Sequence, residues 1–211
     1  MVKKLAQIIL AVLIVGLVYV IYQQISTPIK FEQELATRKA KVIESIKDIR
    51  TAERAFKKKY DRFTGSFDTL EQFILNDTLV LERKIVDEYD SVALAQLKKA
   101  GRKNVEEFKI AVIDTIFSPR KLTPEQVRGL RYIPYSDGKE FYLEAGTAIA
   151  SNITVPIVEC RAPYKLFMTE EEFHQQLVNL IDDQENNFNN YAGVKFGSME
   201  GANNEAGNWE D

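Results

Sequence analysis

One cysteine, Cys160, and one histidine, His174, are all that 211 residues provide of either type. A lone cysteine excludes an intramolecular disulfide framework and any CxxC-type zinc site, and a single histidine leaves a conventional zinc centre short of ligands. Cys160 and His174 are also the sole candidates for a thiol–imidazole pair. Cys160 falls in an apparent strand, where a free cysteine acts as a small buried hydrophobe, and His174 follows Phe173 near a helix start. Glycine-rich phosphate loops, GxSxG elbows and Walker-type sequences are absent. Adjacent carboxylates such as Glu106-Glu107 and Asp182-Asp183 point different ways on any regular element, so they read as solvated faces rather than acid/base pairs. The chain therefore reads as non-enzymatic, with no catalytic residue, no cofactor-binding residue and no identifiable small-molecule substrate.

What is present begins with a long apolar run. From Leu5 to Tyr22 only Gln7 is plainly polar. Eighteen residues at about 1.5 Å each span roughly 27 Å, close to the ~30 Å hydrocarbon core of a bilayer. A cleavable signal peptide has a shorter apolar region and a small-x-small site, and the residues after Tyr22 offer none. The expectation is an uncleaved signal anchor over 5–22, with 1–4 as a cytoplasmic tail carrying Lys3 and Lys4. Tyr19 and Tyr22 stand where interfacial aromatics belong. The chain is then expected to cross a membrane once, with its C-terminal domain outside.

After an expected break at Ser26-Thr27-Pro28, with Ser26 or Thr27 as N-cap, neither glycine nor proline interrupts the chain to Tyr60. Positions 42, 46, 49, 53, 56 and 60 follow the alternating four-and-three spacing of one helix face, Glu53 being the exception among apolar residues. This stalk, 23–62, packs either on the chain's own domain or on neighbouring stalks. Its charge is lopsided: residues 27–62 hold eleven Lys/Arg against six Asp/Glu, whereas 167–211 hold Lys195 against ten acidic groups. Such a split predicts electrostatic matching of the two ends, within one molecule or between neighbours, or else two solvated faces. With a pI near 5.5 and no aromatics interleaved in the basic stretch, nucleic acid is not an expected partner.

The remainder, 63–199, reads as one α+β domain. Ser66 is placed to cap a helix to about Leu75, with Phe67, Leu70, Phe73 and Ile74 inward. Strands are predicted over 78–86, 108–117 and 153–161, the last an edge strand because of Pro156, and a helix over 93–100 closed by Gly101. Ser136-Asp137-Gly138 predicts a hairpin between 130–135 and 139–145. Thr123 with Gln126, and Thr169 with Glu172, match capping boxes. A further short strand is expected over 194–199, and the Asn/Gly-rich acidic tail 200–211 carries Trp209 as either a docked anchor or an exposed ring. Core residues are expected at Ile46, Ile49, Phe56, Tyr60, Leu70, Phe73, Ile110, Val112, Ile133 and Leu180.

The order of elements resembles the type IV pilin and type II secretion pseudopilin plan. There an apolar N-terminal helix continues into an amphipathic one, packed on a small antiparallel sheet. The local likeness lies in residues 50–60 (RTAERAFKKKY) and 63–73 (FTGSFDTLEQF). Those stretches, with the 197–210 ending (GSMEGANNEAGNWE), also resemble an uncharacterised family of single-pass bacterial envelope proteins. The chain departs from the pilin pattern at its start, with no glycine before the span and no glutamate near its beginning. The resemblance implies the bacterial inner membrane and the periplasm as the setting, and a structural or assembly subunit working through protein contacts. Val42, Ile46, Ile49, Arg50, Arg54, Lys58 and Trp209 are then the candidate interaction residues. Some pseudopilins bind calcium in a C-terminal loop, so the resemblance also implies a calcium site at Asn203, Asn204, Glu205 and Asn208, with Glu210 and Asp211 nearby. The other reading is a membrane-tethered binding module, for which Tyr132, Tyr135, Tyr142 and Tyr164 would line one concave site.

Overall fold

The absence of glycine and proline after Pro28 has its consequence in one helix, α1, running from Val2 to Tyr60 over 59 residues. The computed structural model describes residues 2–87 and 89–210, side chains of residues 2, 5 and 6 excepted. Pro28 lies inside α1 rather than at a break. Proline forfeits one backbone bond and crowds the preceding turn, at about 3 kcal/mol. Long helix on both sides and a firmly packed C-terminal half hold the chain through it. Neither Ser26 nor Thr27 caps; the Thr27 hydroxyl instead donates to Gln23 Oε1 at 3.4 Å. Lys57, Lys58 and Lys59 occupy the last turn, where cations suit the helix dipole.

The domain then wraps around the second half of α1. Helix α2 (Phe67–Asn76) buries Phe67, Leu70, Phe73 and Ile74, as the spacing predicts. The Ser66 side chain makes no capping bond, however, its amide being tied to Thr64 Oγ1 at 3.2 Å. Strand β1 (Thr78–Arg83) pairs antiparallel with β2 (Glu106–Ala111), Thr78 opposite Ala111. Between them lies α3 (Ser91–Lys99), capped by Asp90 and ended at Gly101 with φ +65°. The expected strand over 108–117 stops at Ala111, because β1 begins at Thr78 and offers no partner beyond it. Val112 to Ile116 turn into a short helix, α4, against α2.

Helix α5 (Pro124–Gly129) makes the predicted Thr123–Gln126 capping box in both directions. The hairpin at Ser136–Gly138 is narrower than expected, a single bridge between Tyr132 and Glu140. Its second arm runs on as β3 (Tyr142–Ala150), which turns at Ser151-Asn152 into β4 (Ile153–Pro163). After α6 (Tyr164–Phe167) and a 3-10 turn at Glu171–Phe173 comes α7 (His174–Asp182), extended by a π turn over Asp183–Asn187. The second predicted capping box is not made, the Glu170 N-cap having no side-chain bond. Strand β5 (Gly193–Gly197) completes a sheet ordered β3-β4-β5. β4 is therefore central, not an edge. β5 reaches only residues 159–163, so Pro156 sits where β4 has one open side and tolerates the missing N–H.

The core lies between α1 and this sheet: Val42, Ile46, Ile49 and Ala52 are fully buried with Cys160, Ala162, Val194 and Phe196. Phe56 meets Phe73 edge-on at 5.2 Å, fastening α2 to α1. Tyr60 is 44% exposed, stacking on Phe56 while its hydroxyl donates to Asp77 at 2.6 Å. Ile110 and Leu180, both expected inside, are half-buried.

Candidate anchor and stalk interface

Two functional regions divide α1. Toward its start, Ile8 to Ile25 are exposed on every side, and Ile29 is still 51% exposed. Among the described residues this is the one helix long and apolar enough to cross a membrane, with no part of its apolar window buried in the domain. Tyr19 accepts a hydrogen bond from Gln23 Nε2 at 2.9 Å, one turn on, so the polar groups at the end of the apolar run satisfy one another. From Phe31 onward the same helix enters the domain, its ring 5.7 Å from that of Phe173.

The stripe of Val42, Ile46 and Ile49 packs within the molecule, which answers the choice the spacing left open. Glu53, on the same seam, is fully buried with one carboxylate oxygen, Oε2, accepting the Thr64 N–H at 3.0 Å. Oε1 finds no partner among the described residues. Burial pushes the Glu53 carboxyl up to about 8, the Thr64 bond opposing only in part. Burial likewise raises the Cys160 thiol well above its ordinary value, with Glu53 adding to the effect. Cys160 is sealed inside β4 whereas His174 is exposed at the start of α7, so no accessible thiolate is presented for catalysis.

The basic face of the stalk and the acidic C-terminal region meet inside one molecule. Arg38 forks onto the Glu170 carboxylate, donates to the Phe167 carbonyl at 2.9 Å and lies 5.3 Å over the Tyr135 ring. Arg50 donates to Glu210 at 2.7 Å and to the Glu205 carbonyl at 3.2 Å, with its guanidinium 5.4 Å over the Trp209 ring. Arg54 and Lys57 both hold the Glu205 carboxylate, at 3.1 and 3.4 Å. The Glu210 carboxyl is kept below its usual range by the Gly207 N–H first and Arg50 second. Lys58, by contrast, is exposed and joins no ion pair among the described residues.

The tail is stitched to β5 as well as to α1. Asn208 accepts the Lys195 N–H at 3.1 Å and donates to the Gly193 carbonyl at 2.9 Å, and Gly197 N–H donates to Ala206. Trp209 is thus the docked anchor of the two options, packed against the core. These bonds engage several of the oxygens that the pseudopilin likeness would give to calcium. The Glu205 carboxylate faces two cations, the Asn204 carbonyl accepts from Arg54, and Asn208 serves β5. Asp211 lies outside the described residues. Among the described residues no three His, Cys, Asp or Glu side chains converge.

The four tyrosines expected at one concave site are dispersed: Tyr164 is buried, and Tyr135 sits over Arg38. A separate open cleft of about 460 Å³ lies between Tyr142, Arg161, Lys165 and Tyr191. Arg161 at its floor is held by Glu144 at 2.6 Å and Glu159 at 3.0 Å. Sequence reasoning missed this cleft and the pairing of Arg38 with Glu170. The seam position of Glu53 was visible, and its burial follows from that register. No family model, curated protein or solved structure matches the chain.

Proposed function

We propose that this chain is a non-enzymatic, membrane-anchored component of a bacterial envelope, its domain carried in the periplasm and acting through protein contacts. The observation that supports the reading is the continuity of α1, exposed and apolar in its first half and the spine of the domain in its second. Eight residues lie between Tyr22 and Phe31, nine helical steps or about 14 Å, so the domain stands close above the bilayer without a flexible linker. Such a design suits a subunit whose surfaces must be presented at fixed height and rotation, as in the pilin-like layout. The intramolecular clasp of Arg50, Arg54 and Lys57 on the tail leaves the basic stalk little role as a free assembly face. Assembly then falls to the anchor and to the exposed surfaces of the domain.

The test is intact mass and carbonate extraction of the protein from native membranes, with photo-crosslinkers at exposed positions Ile14 and Tyr89. Retention in the pellet with protein adducts supports the reading. Release into solution after cleavage beyond Tyr22, or adducts to lipid alone, overturns it. The second reading, a tethered binding module, is favoured by the Tyr142–Arg161–Tyr191 cleft, whose open form and two aromatic walls suit a ligand rather than a packed partner.

A further inference from the structure

At the membrane-distal end of α1, strand β1 offers an edge that no other strand covers among the described residues, for there β1 pairs with β2 alone. The Val112 N–H donates to the Asp77 carbonyl at 3.0 Å, which fixes the alternation of the ladder. Asp77 gives only its carbonyl to β2, its N–H going to the Phe73 carbonyl at 3.1 Å; residues 79, 81 and 83 turn their amides toward β2, whereas 78, 80 and 82 turn theirs to the opposite side. The outward groups of Thr78 are taken, its N–H by Asp77 Oδ1 and its carbonyl by Lys59 Nζ, each at 2.9 Å. Those of Val80 and Glu82 point outward from the two-stranded sheet.

A groove of about 360 Å³ lies at β1, formed by Lys58, Lys59, residues 78–81 and Lys109. Residues 78–81 line it from β1, and Lys109, which stands opposite Val80 on β2, lines it from across the strand. Its floor is apolar, Val80 being 51% exposed. Lys59 is held by Asp77, but Lys58 and Lys109 are exposed and join no ion pair among the described residues. Lysines beside an edge strand discourage pairing with a second copy, since each copy would bring the same cations. Those cations equally select what fits.

We infer that the β1 edge receives an extended acidic segment of a partner protein, which adds a third strand beside β1 and sets its carboxylates at Lys58 and Lys109. Main-chain bonds to Val80 and Glu82 supply adhesion, and the lysines supply the choice of partner. The inference rests on the reading that the chain works through protein contacts, and names where and with what chemistry.

The experiment uses the full chain in non-ionic detergent and a rhodamine-labelled heptapeptide of alternating Asp and Val, read by fluorescence anisotropy. The expected result is binding at least tenfold tighter than that of a Lys/Val heptapeptide, with a tenfold or greater loss in the Lys58→Glu/Lys109→Glu double variant. N-methylation of alternate amides on the acidic peptide, which blocks strand addition without touching the protein, should abolish binding. Equal affinity for both peptides, unchanged binding by the double variant, or full binding of the N-methylated peptide overturns the inference. So does a Val80→Cys variant that crosslinks chiefly to its own copy, or a groove that captures anionic vesicles in preference to the peptide. If the chain resists carbonate and crosslinks to protein yet ignores the acidic peptide, this inference alone fails; if carbonate releases it, the functional reading fails first.

Discussion

Glu53 accepts a 3.0 Å hydrogen bond from the Thr64 backbone N–H through Oε2, while its Oε1, equally buried, meets no donor among the described residues. The half-satisfied carboxyl closes the turn after α1, and burial makes its neutral form the stable one in the fold.

That assigns a sign to the pH dependence of stability. The folded value of about 8 lies above the ordinary 4.5, so the contribution is complete below about pH 4.5 and is lost as pH rises toward 8. The loss across that window is at most about 5 kcal/mol. Denaturant midpoints at pH 5 and pH 8 should fall for the natural chain and fall much less for Glu53→Gln, whose amide oxygen keeps the Thr64 bond. Parallel declines in the two proteins would contradict this.

The clasp of Arg50 on Trp209 has an optical readout, because Trp209 is the sole tryptophan. Arg50→Met removes the cation over the ring and releases Glu210, so emission should shift to the red and stability fall by about 1–2 kcal/mol. Raising salt should move the natural chain in the same direction. Millimolar calcium should leave both emission and melting temperature unchanged, since Arg54 and Lys57 already hold Glu205; a calcium-induced rise in melting temperature would revive a metal role for the tail.

Gly197 ends β5 at φ +75°, and a Cβ there would sit 1.9 Å from the Val158 carbonyl oxygen. Gly197→Ala should therefore cost about 2–4 kcal/mol, combining backbone strain with a clash against a central strand. Chemical denaturation measures it, and a loss below about 1 kcal/mol would show that the strand pair yields more easily than its register implies.

Pro28 interrupts the bonds of α1 without interrupting the helix. Pro28→Ala restores an N–H, so spin labels at positions 22 and 40 should report the same mean distance in both proteins, the variant's distribution being equal or narrower. A changed mean would place a bend at Pro28.

The sequence made most of the helical skeleton legible where the signals were local. The Thr123–Gln126 box, the inward face of α2 and the 42–56 seam follow from capping chemistry and periodicity, and each is where those rules put it. The run through Val112 and Ile113 was not legible, since a short apolar β-branched stretch has no period to separate strand from helix, and the length of β1 decided it. Opposite charges at the two ends left open matching within one molecule, matching between neighbours or two solvated faces, and only the three-dimensional return of the tail along α1 showed that Arg50 and Arg54 pair with it within one molecule. The β1 groove joins Lys58 to Lys109 across fifty residues of sequence, and no spacing rule links them.

With its apolar first half in a bilayer, as proposed above, helix α1 would make the domain a lever with its fulcrum in the lipid. From Tyr22 to Tyr60 the helix rises 38 residue steps, roughly 57 Å at 1.5 Å per residue. Spans commonly tilt by about 20° to match bilayer thickness, and over that length such a tilt carries the distal end sideways by about 20 Å. A few ångströms of change in membrane thickness would thus sweep the β1 edge across a distance comparable to the width of a neighbouring protein, converting lipid composition into reach.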